Sequence, residues 1–291
     1  MTQVGIAGHA WLPRSPCGAG CVSSADLRVG HWRYLARWCA VLLAVVGALV
    51  LVLLRPLPRR ARTGARRWIA GRLLRACGIG LRRTGSDSFA APREAVLVAA
   101  QHVSWLDVLA LQAVQPVSMV ARADVAAWPI IGRTARSLHT VFLDRAKLRE
   151  LPGAVAQVRQ QLTAHRCVAV FPEGTTWCGN ARGRLRPAFF QAALDAGVPV
   201  RPVAVRYHRR DGGSTTAPAF LGDETLLACL RRILRLRGVV VELRLLPLQE
   251  PGGSRIDLVE RCTAAVRAVD EANRPAPVDP EFSHHSEVPA A

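Results

Sequence analysis

Residues 95–107 read Ala95-Val-Leu-Val-Ala-Ala-Gln-His102-Val-Ser-Trp-Leu-Asp107. The six apolar residues at its start are too few for a helix and show no polar alternation. A short, continuous apolar run bounded by polar residues fits a strand buried on both faces, as in a parallel sheet. The break after Gln101 then opens a helix. Ser104 stands where an N-cap is expected before Trp105, and Asp107 falls in the first turn, where its side chain leans back toward the N-terminus. The expectation is strand, turn, helix, with His102 in the turn.

Working outward, similar apolar or β-branched runs occur at Val117–Ala121, Thr140–Leu143, Cys167–Phe171, Val200–Arg206 and Val239–Leu246. Helical patterns lie between or after them at Trp105–Val114, Lys147–His165, Pro187–Ala196, Asp223–Leu236 and Arg255–Ala272. Buried strands alternating with helices indicate an α/β domain over residues 85–272, a mostly parallel central sheet flanked by helices.

The segments before this domain have another character. Residues 1–32 are rich in Gly, Ser, Pro and Ala and are expected to form a disordered leader. Within residues 33–55, Trp38–Leu54 is an unbroken run of seventeen uncharged, apolar residues, long enough for a short transmembrane or membrane-embedded helix. Residues 56–84 carry Trp68, Ile69, Leu73, Leu74, Cys77 and Leu81 at three-to-four-residue spacing, interrupted by arginines. That pattern fits a basic amphipathic helix along a membrane surface, or an ordinary helix packed on the domain. Residues 273–291 hold four prolines and no periodicity, and are expected to be a disordered tail.

The formal charge is +18, and residues 1–86 contain fourteen arginines against one acid, Asp26. Basic charge gathered around an apolar run implies anionic membrane lipid as a partner and argues against nucleic acid, whose binders spread the excess over the folded domain. The heavier basic flank follows the apolar run, so the positive-inside rule places everything after Arg55 in the cytoplasm, at the inner (plasma) membrane. The eight cysteines are scattered. Cys17 and Cys21 lie close together, but no second pair follows at zinc-site spacing, so reduced thiols and no metal are expected, metal binding at that first pair being the lesser alternative. Trp105, Trp128 and Trp177 flank the polar segments and serve either core packing or a channel wall. Among the remaining histidines, His165 closes a helix, while His139 and His208 have no evident partner.

Two other strand ends bear on His102. The run through Phe171 stops at Pro172 and delivers Glu173-Gly174-Thr175; the run through Leu143 delivers Asp144-Arg145. In a parallel sheet the carboxyl ends share one edge, where ligands bind. His102, Arg145 and Glu173 are therefore expected to converge. They would supply a base, a cation for an anionic group, and a glycine turn whose N–H groups hold an oxyanion. Ser104-x-x-Asp107 alone also satisfies a capping box, which needs no chemistry.

These segments resemble the glycerolipid (lysophospholipid) acyltransferase family, of which bacterial 1-acylglycerol-3-phosphate acyltransferase is the best-known member. Four blocks match in order: His102-Val-Ser-Trp-Leu-Asp107, Trp128-Pro-Ile-Ile-Gly132 through Phe142-Leu-Asp-Arg145, Phe171-Pro-Glu-Gly-Thr175, and Val198-Pro-Val-Arg-Pro-Val203. The resemblance implies transfer of a fatty acyl group from acyl-CoA or acyl carrier protein to a lysophospholipid hydroxyl, 1-acylglycerol-3-phosphate in the first instance. His102 would be the general base and Asp107 its orienting partner. Arg122 and Arg145 would bind the phosphate, with Ser104, Glu173, Gly174 and Thr175 completing the acceptor site. No cofactor is implied beyond the donor.

Three positions depart from the family pattern. Gln101 stands where asparagine is usual, Thr176 where an arginine is usual, and Ala121-Arg122-Ala123-Asp124 is a loose counterpart of a lysine–acid pair. They open the acceptor to another lysolipid, such as an N-acyl amino-acid lipid. A lipid hydrolase with Ser104 as nucleophile is the alternative from a different enzyme class, although a Gly-x-Ser-x-Gly elbow is missing.

Overall fold

The computed structural model describes residues 12–23, 28–53 and 59–272. Among these, eight helices, α1 (His31–Leu53), α2 (Arg59–Ala76), α3 (Leu106–Val114), α4 (Pro129–Ser137), α5 (Leu151–Thr163), α6 (Ala188–Ala196), α7 (Leu226–Arg235) and α8 (Arg255–Ala272), surround seven strands. The strands are β1 (Ile79–Gly85), β2 (Leu97–Ala100), β3 (Ser118–Arg122), β4 (Val141–Leu143), β5 (Val168–Val170), β6 (Val200–Arg209) and β7 (Val239–Leu245), in the order β1-β7-β6-β2-β5-β3-β4.

Strands β2 through β6 run parallel, β7 is antiparallel to β6, and β1 is parallel to β7. The α/β expectation, mostly parallel and helix-flanked, holds. β2 shows why its sequence lacks alternation. Val96, Val98 and Ala100 enter one core with Leu106, Ala110 and Leu111 of α3 and Ile233 of α7. Leu97 and Ala99 enter the other core with Val158 and Leu162 of α5, Phe190 of α6 and Leu258 of α8. Both faces are buried, so both parities must be apolar. Each large side chain so enclosed contributes roughly 1.5–3 kcal/mol.

The segment between the apolar run and the domain differs from expectation. The helical spacing holds only through Cys77: α2 ends at Ala76, and Ile79–Gly85 is an edge strand in register with Val239–Leu245. Gly78 makes the break at φ +77°, with the Arg37 guanidinium occupying the place a side chain would need. Leu81, Arg82 and Arg83 then face outward, and outward cations on an edge strand discourage pairing with other chains.

Helix α1 contains a stretch, His31–Val50, long and apolar enough to cross a bilayer and almost entirely unburied. Leu35, Leu42, Leu43, Val46 and Val50 form its exposed stripe. Its base is docked: Arg37 donates to the carbonyls of Leu234 (2.8 Å) and Leu236 (2.6 Å), capping the end of α7.

Part of the leader is ordered, contrary to expectation. Cys17 is buried, and the Ser23 N–H donates to Thr216 Oγ1 at 2.9 Å. Residues 1–11 and 24–27 of the leader, residues 54–58 and the 273–291 tail lie outside the described residues.

Candidate active site

β2 ends at Ala100, and the chain turns through His102 into α3. His102 Nδ1 lies 3.0 Å from Asp107 Oδ2. The same oxygen accepts the N–H groups of Val103 (2.7 Å) and Ser104 (2.8 Å), while Asp107 Oδ1 accepts the Tyr207 hydroxyl at 2.6 Å. One carboxylate therefore caps α3 and orients His102. The capping and base-orienting readings of Asp107 are a single arrangement. With Nδ1–H directed at Asp107, Nε2 is the nitrogen that can take a proton. The imidazole is 15% exposed and stacks on Phe171, with ring centroids 3.8 Å apart and planes 11° apart.

The strand ends converge as expected. Glu173 Oε2 accepts the His102 N–H at 2.9 Å and Oε1 accepts the Gly183 N–H at 3.1 Å. The Trp177 N–H donates to the His102 carbonyl at 2.8 Å, so the loop after β5 grips the His102 backbone from both sides. Arg145, arriving from β4, donates to the Gly174 carbonyl. Gly174 sits at φ +78° with Pro13 against its α-carbon, a position that both conformation and space reserve for glycine.

Glu173 is 4% exposed, and burial pushes its carboxyl up to about 7, opposed by the two N–H donors and by Arg182. The folded state thus holds the proton more tightly than an unfolded chain at the ordinary 4.5. This stabilisation is complete below 4.5 and is lost as pH rises through about 7. Glu173→Gln removes that dependence. Thermal melts from pH 5 to 8 should show the wild type losing stability relative to the variant as pH rises, on the order of 3 kcal/mol. Parallel curves would refute this.

Arg145 is held down to about 10, mainly by burial, then by Arg122 and Arg186, with Asp124 opposing. Three arginines therefore gather beside the turn, an electrostatic setting for an anion. Arg122 is largely exposed and pairs with Asp124 at 2.9 and 3.0 Å. Thr175 is part-exposed at the turn, and Thr176 donates to the Phe220 carbonyl.

Two expectations are corrected. Ser104 is fully buried, with Oγ 3.4 Å from the Leu106 N–H, so it neither contacts an acceptor nor offers a hydrolase nucleophile. The Gly174 N–H is spent on the Phe171 carbonyl at 3.0 Å and cannot hold an oxyanion. Among the described residues the Thr175 N–H donates no hydrogen bond, which makes it the better candidate.

Four supporting residues escape the sequence reading. Tyr207 lies on β6 in the Val203, Val205, Tyr207 parity that faces the α3 core, so strand periodicity is its one available signal. Phe171 reads as a strand end and not as a ring support. Arg182 and Arg186 sit in a loop without pattern. Elsewhere, His208 does have a partner, Glu242, at 3.0 Å. Trp105 and Trp177 pack against the α3 core, whereas Trp128 is 36% exposed.

Comparison with known proteins agrees with this geometry. The family model described as "Acyltransferase" matches residues 81–206. The chain is 36% identical over 202 residues to a lyso-ornithine lipid O-acyltransferase of Pseudomonas aeruginosa, covering 69% of this chain and 76% of that protein. It is 34% identical over 176 residues to a 1-acyl-sn-glycerol-3-phosphate acyltransferase of Neisseria gonorrhoeae, covering 60% and 69%. The crystal structure of PlsC, the 1-acyl-sn-glycerophosphate (LPA) acyltransferase of Thermotoga maritima, superposes with a TM-score of 0.65 over 84% of this chain and 96% of that one. At 19% identity that match speaks to the fold. The chain belongs to the lysophospholipid-type acyltransferase family and is an acyltransferase.

Proposed function

We propose that this enzyme transfers a fatty acyl group from an acyl thioester, acyl-CoA or acyl carrier protein, to the hydroxyl of 1-acylglycerol-3-phosphate in phospholipid biosynthesis. The observation that carries the reading is the Tyr207–Asp107–His102 chain, which commits Nδ1 and leaves Nε2 as the ring nitrogen that can take a proton, together with the Arg122, Arg145 and Arg186 cluster at the Gly174 turn. The acceptor oxygen attacks the thioester carbonyl while His102 Nε2 takes its proton. Collapse of the tetrahedral intermediate breaks the carbon–sulfur bond, and His102 returns the proton to the departing thiolate. His102 and Asp107 carry the proton transfer, the arginines hold the phosphate, and Glu173, Gly174 and Thr175 shape the acceptor site. The chemistry needs no metal or further cofactor. The exposed stripe of α1 and the arginines that follow it suit insertion into an anionic membrane, with the catalytic domain on the cytoplasmic side.

A second acceptor, a lyso-ornithine-type lipid, is favoured by two observations. Arg122 is already neutralised by Asp124, and Thr176 replaces an expected cation and is turned to Phe220. The name of the Pseudomonas relative points the same way.

Membranes containing the protein, incubated with labelled acyl-CoA and a panel of lysolipids, decide the matter. Product from 1-acylglycerol-3-phosphate above the empty-vector level supports the main reading. Product from lyso-ornithine lipid alone overturns it in favour of the second. No product from any lysolipid, with acyl-CoA or with acyl carrier protein as donor, refutes both.

A further inference from the structure

The first pair of cysteines, unpaired in the sequence, gains a third member in the fold. Cys17 and Cys21 are brought against Cys178, seven residues beyond Phe171, and the three sulfur atoms lie within 4.8 Å of one another. Cys17 and Cys178 are buried and Cys21 is exposed at the end of the short helical turn Ala19–Cys21. The Cys21 N–H closes onto the Gly18 carbonyl at 2.9 Å, in a turn over which the two leader thiols lie close together.

We propose that Cys17, Cys21 and Cys178 bind a zinc ion that fastens residues 12–23 to the loop holding the His102 backbone. Tetrahedral zinc with sulfur at roughly 2.3 Å sets its sulfurs about 3.8 Å apart, a small side-chain adjustment from the observed spacing. Cys178 Sγ accepts the Ala181 N–H at 3.4 Å. Arg182 lies close enough to Cys178 to feel its charge and donates to the neighbouring Gly179 carbonyl at 3.1 Å. Three thiolates around a divalent ion leave one negative charge, which that guanidinium offsets. Binding releases the thiol protons, and water or an added thiol fills the fourth position.

The position gives the site a purpose. In the same stretch, Glu173 and Trp177 hold the His102 backbone and Gly174 packs under Pro13. A metal clamp at Cys17 and Cys21 would add to the Ser23–Thr216 hydrogen bond in holding that proline on the catalytic turn. The ion takes no part in acyl transfer, so the assignment stands apart from the choice of acceptor. The sequence alone shows only two of the three ligands together.

The test uses the full chain purified in detergent without chelator. Elemental analysis should find about one zinc per chain, falling to background in Cys178→Ser and in Cys21→Ser. Cys21 is exposed, so its substitution leaves the core intact. Cys262→Ser, in the α8 core, should keep the metal. Cobalt in place of zinc should give thiolate-to-metal charge-transfer absorption, absent in Cys21→Ser. Chelator should lower the melting temperature of the wild type and leave Cys21→Ser unchanged. Wild type that takes up no stoichiometric zinc on reconstitution overturns the proposal. So does zinc retained by both variants, or a Cys17–Cys178 disulfide in freshly isolated protein by mass spectrometry.

Discussion

Replacing His102 with alanine lowers acyl transfer ~10²–10⁴-fold, the usual worth of a positioned general base. The loss falls on kcat, since the arginines and the Glu173 turn that would hold the acceptor are untouched. Structure is largely spared, because the backbone contacts of residue 102 to Glu173 and Trp177 involve no imidazole atom. What disappears is the ring on Phe171 and one hydrogen bond to Asp107, which retains the Val103, Ser104 and Tyr207 donors. The expected stability cost is about 1–2 kcal/mol. Initial rates at saturating donor and acceptor, with a melt to show folding, check the claim. Full activity in folded His102→Ala protein would remove the histidine from the mechanism. Ser104→Ala should stay active, because the hydroxyl it deletes is enclosed and 3.4 Å from a helix amide.

The legible parts of the molecule are those fixed by local pattern. Strands β2, β4 and β5 announce themselves as unbroken apolar runs, whereas β3, β6 and β7 are β-branched or apolar runs interrupted by charged or polar residues such as Arg201, Glu242 and Arg244. β1 is an edge strand carrying Gly80, Arg82 and Arg83, and its spacing continues the helical pattern of α2, so periodicity assigns it to the wrong element. In the site, His102 and Asp107 are five residues apart across one strand-to-helix turn, and their pairing needs only local geometry. Glu173 and Arg145 require one further assumption, that the strands are parallel. Tyr207 and Cys178 depend on register and loop packing across long stretches of chain. Tyr207 reaches Asp107 from a residue separation of 100. Nothing in the spacing of Cys17 and Cys21 points to position 178. The arginine cluster is half visible: Arg122 and Arg145 follow strand ends, whereas Arg186 sits in an irregular loop.

Asp107→Asn separates the two duties of that carboxylate. The amide oxygen can take the Oδ2 position and accept from Val103, Ser104 and His102, while its NH₂ faces the Tyr207 oxygen, which can accept once its own proton turns away. The cap and the histidine tautomer are then preserved, and only the negative charge is lost. That charge matters when the ring carries the substrate proton, since a buried carboxylate beside imidazolium is worth far more than an amide dipole. The expected outcome is a fall in kcat of ~10²–10⁴-fold with a melting temperature near that of the wild type. Asp107→Ala removes more. Two helix-terminal N–H groups and the buried Tyr207 hydroxyl lose their acceptor, at about 1–3 kcal/mol for each group left unsatisfied, so stability should fall together with activity. Tyr207→Phe withdraws a single donor to Oδ1 and leaves the His102 contact alone, and should cost a few-fold in rate at most. If the Asp107→Asn protein kept wild-type kcat, the carboxylate would be a helix cap alone. Equal destabilisation by Asp107→Asn and Asp107→Ala would mean that the amide cannot adopt the capping orientation on which this separation depends.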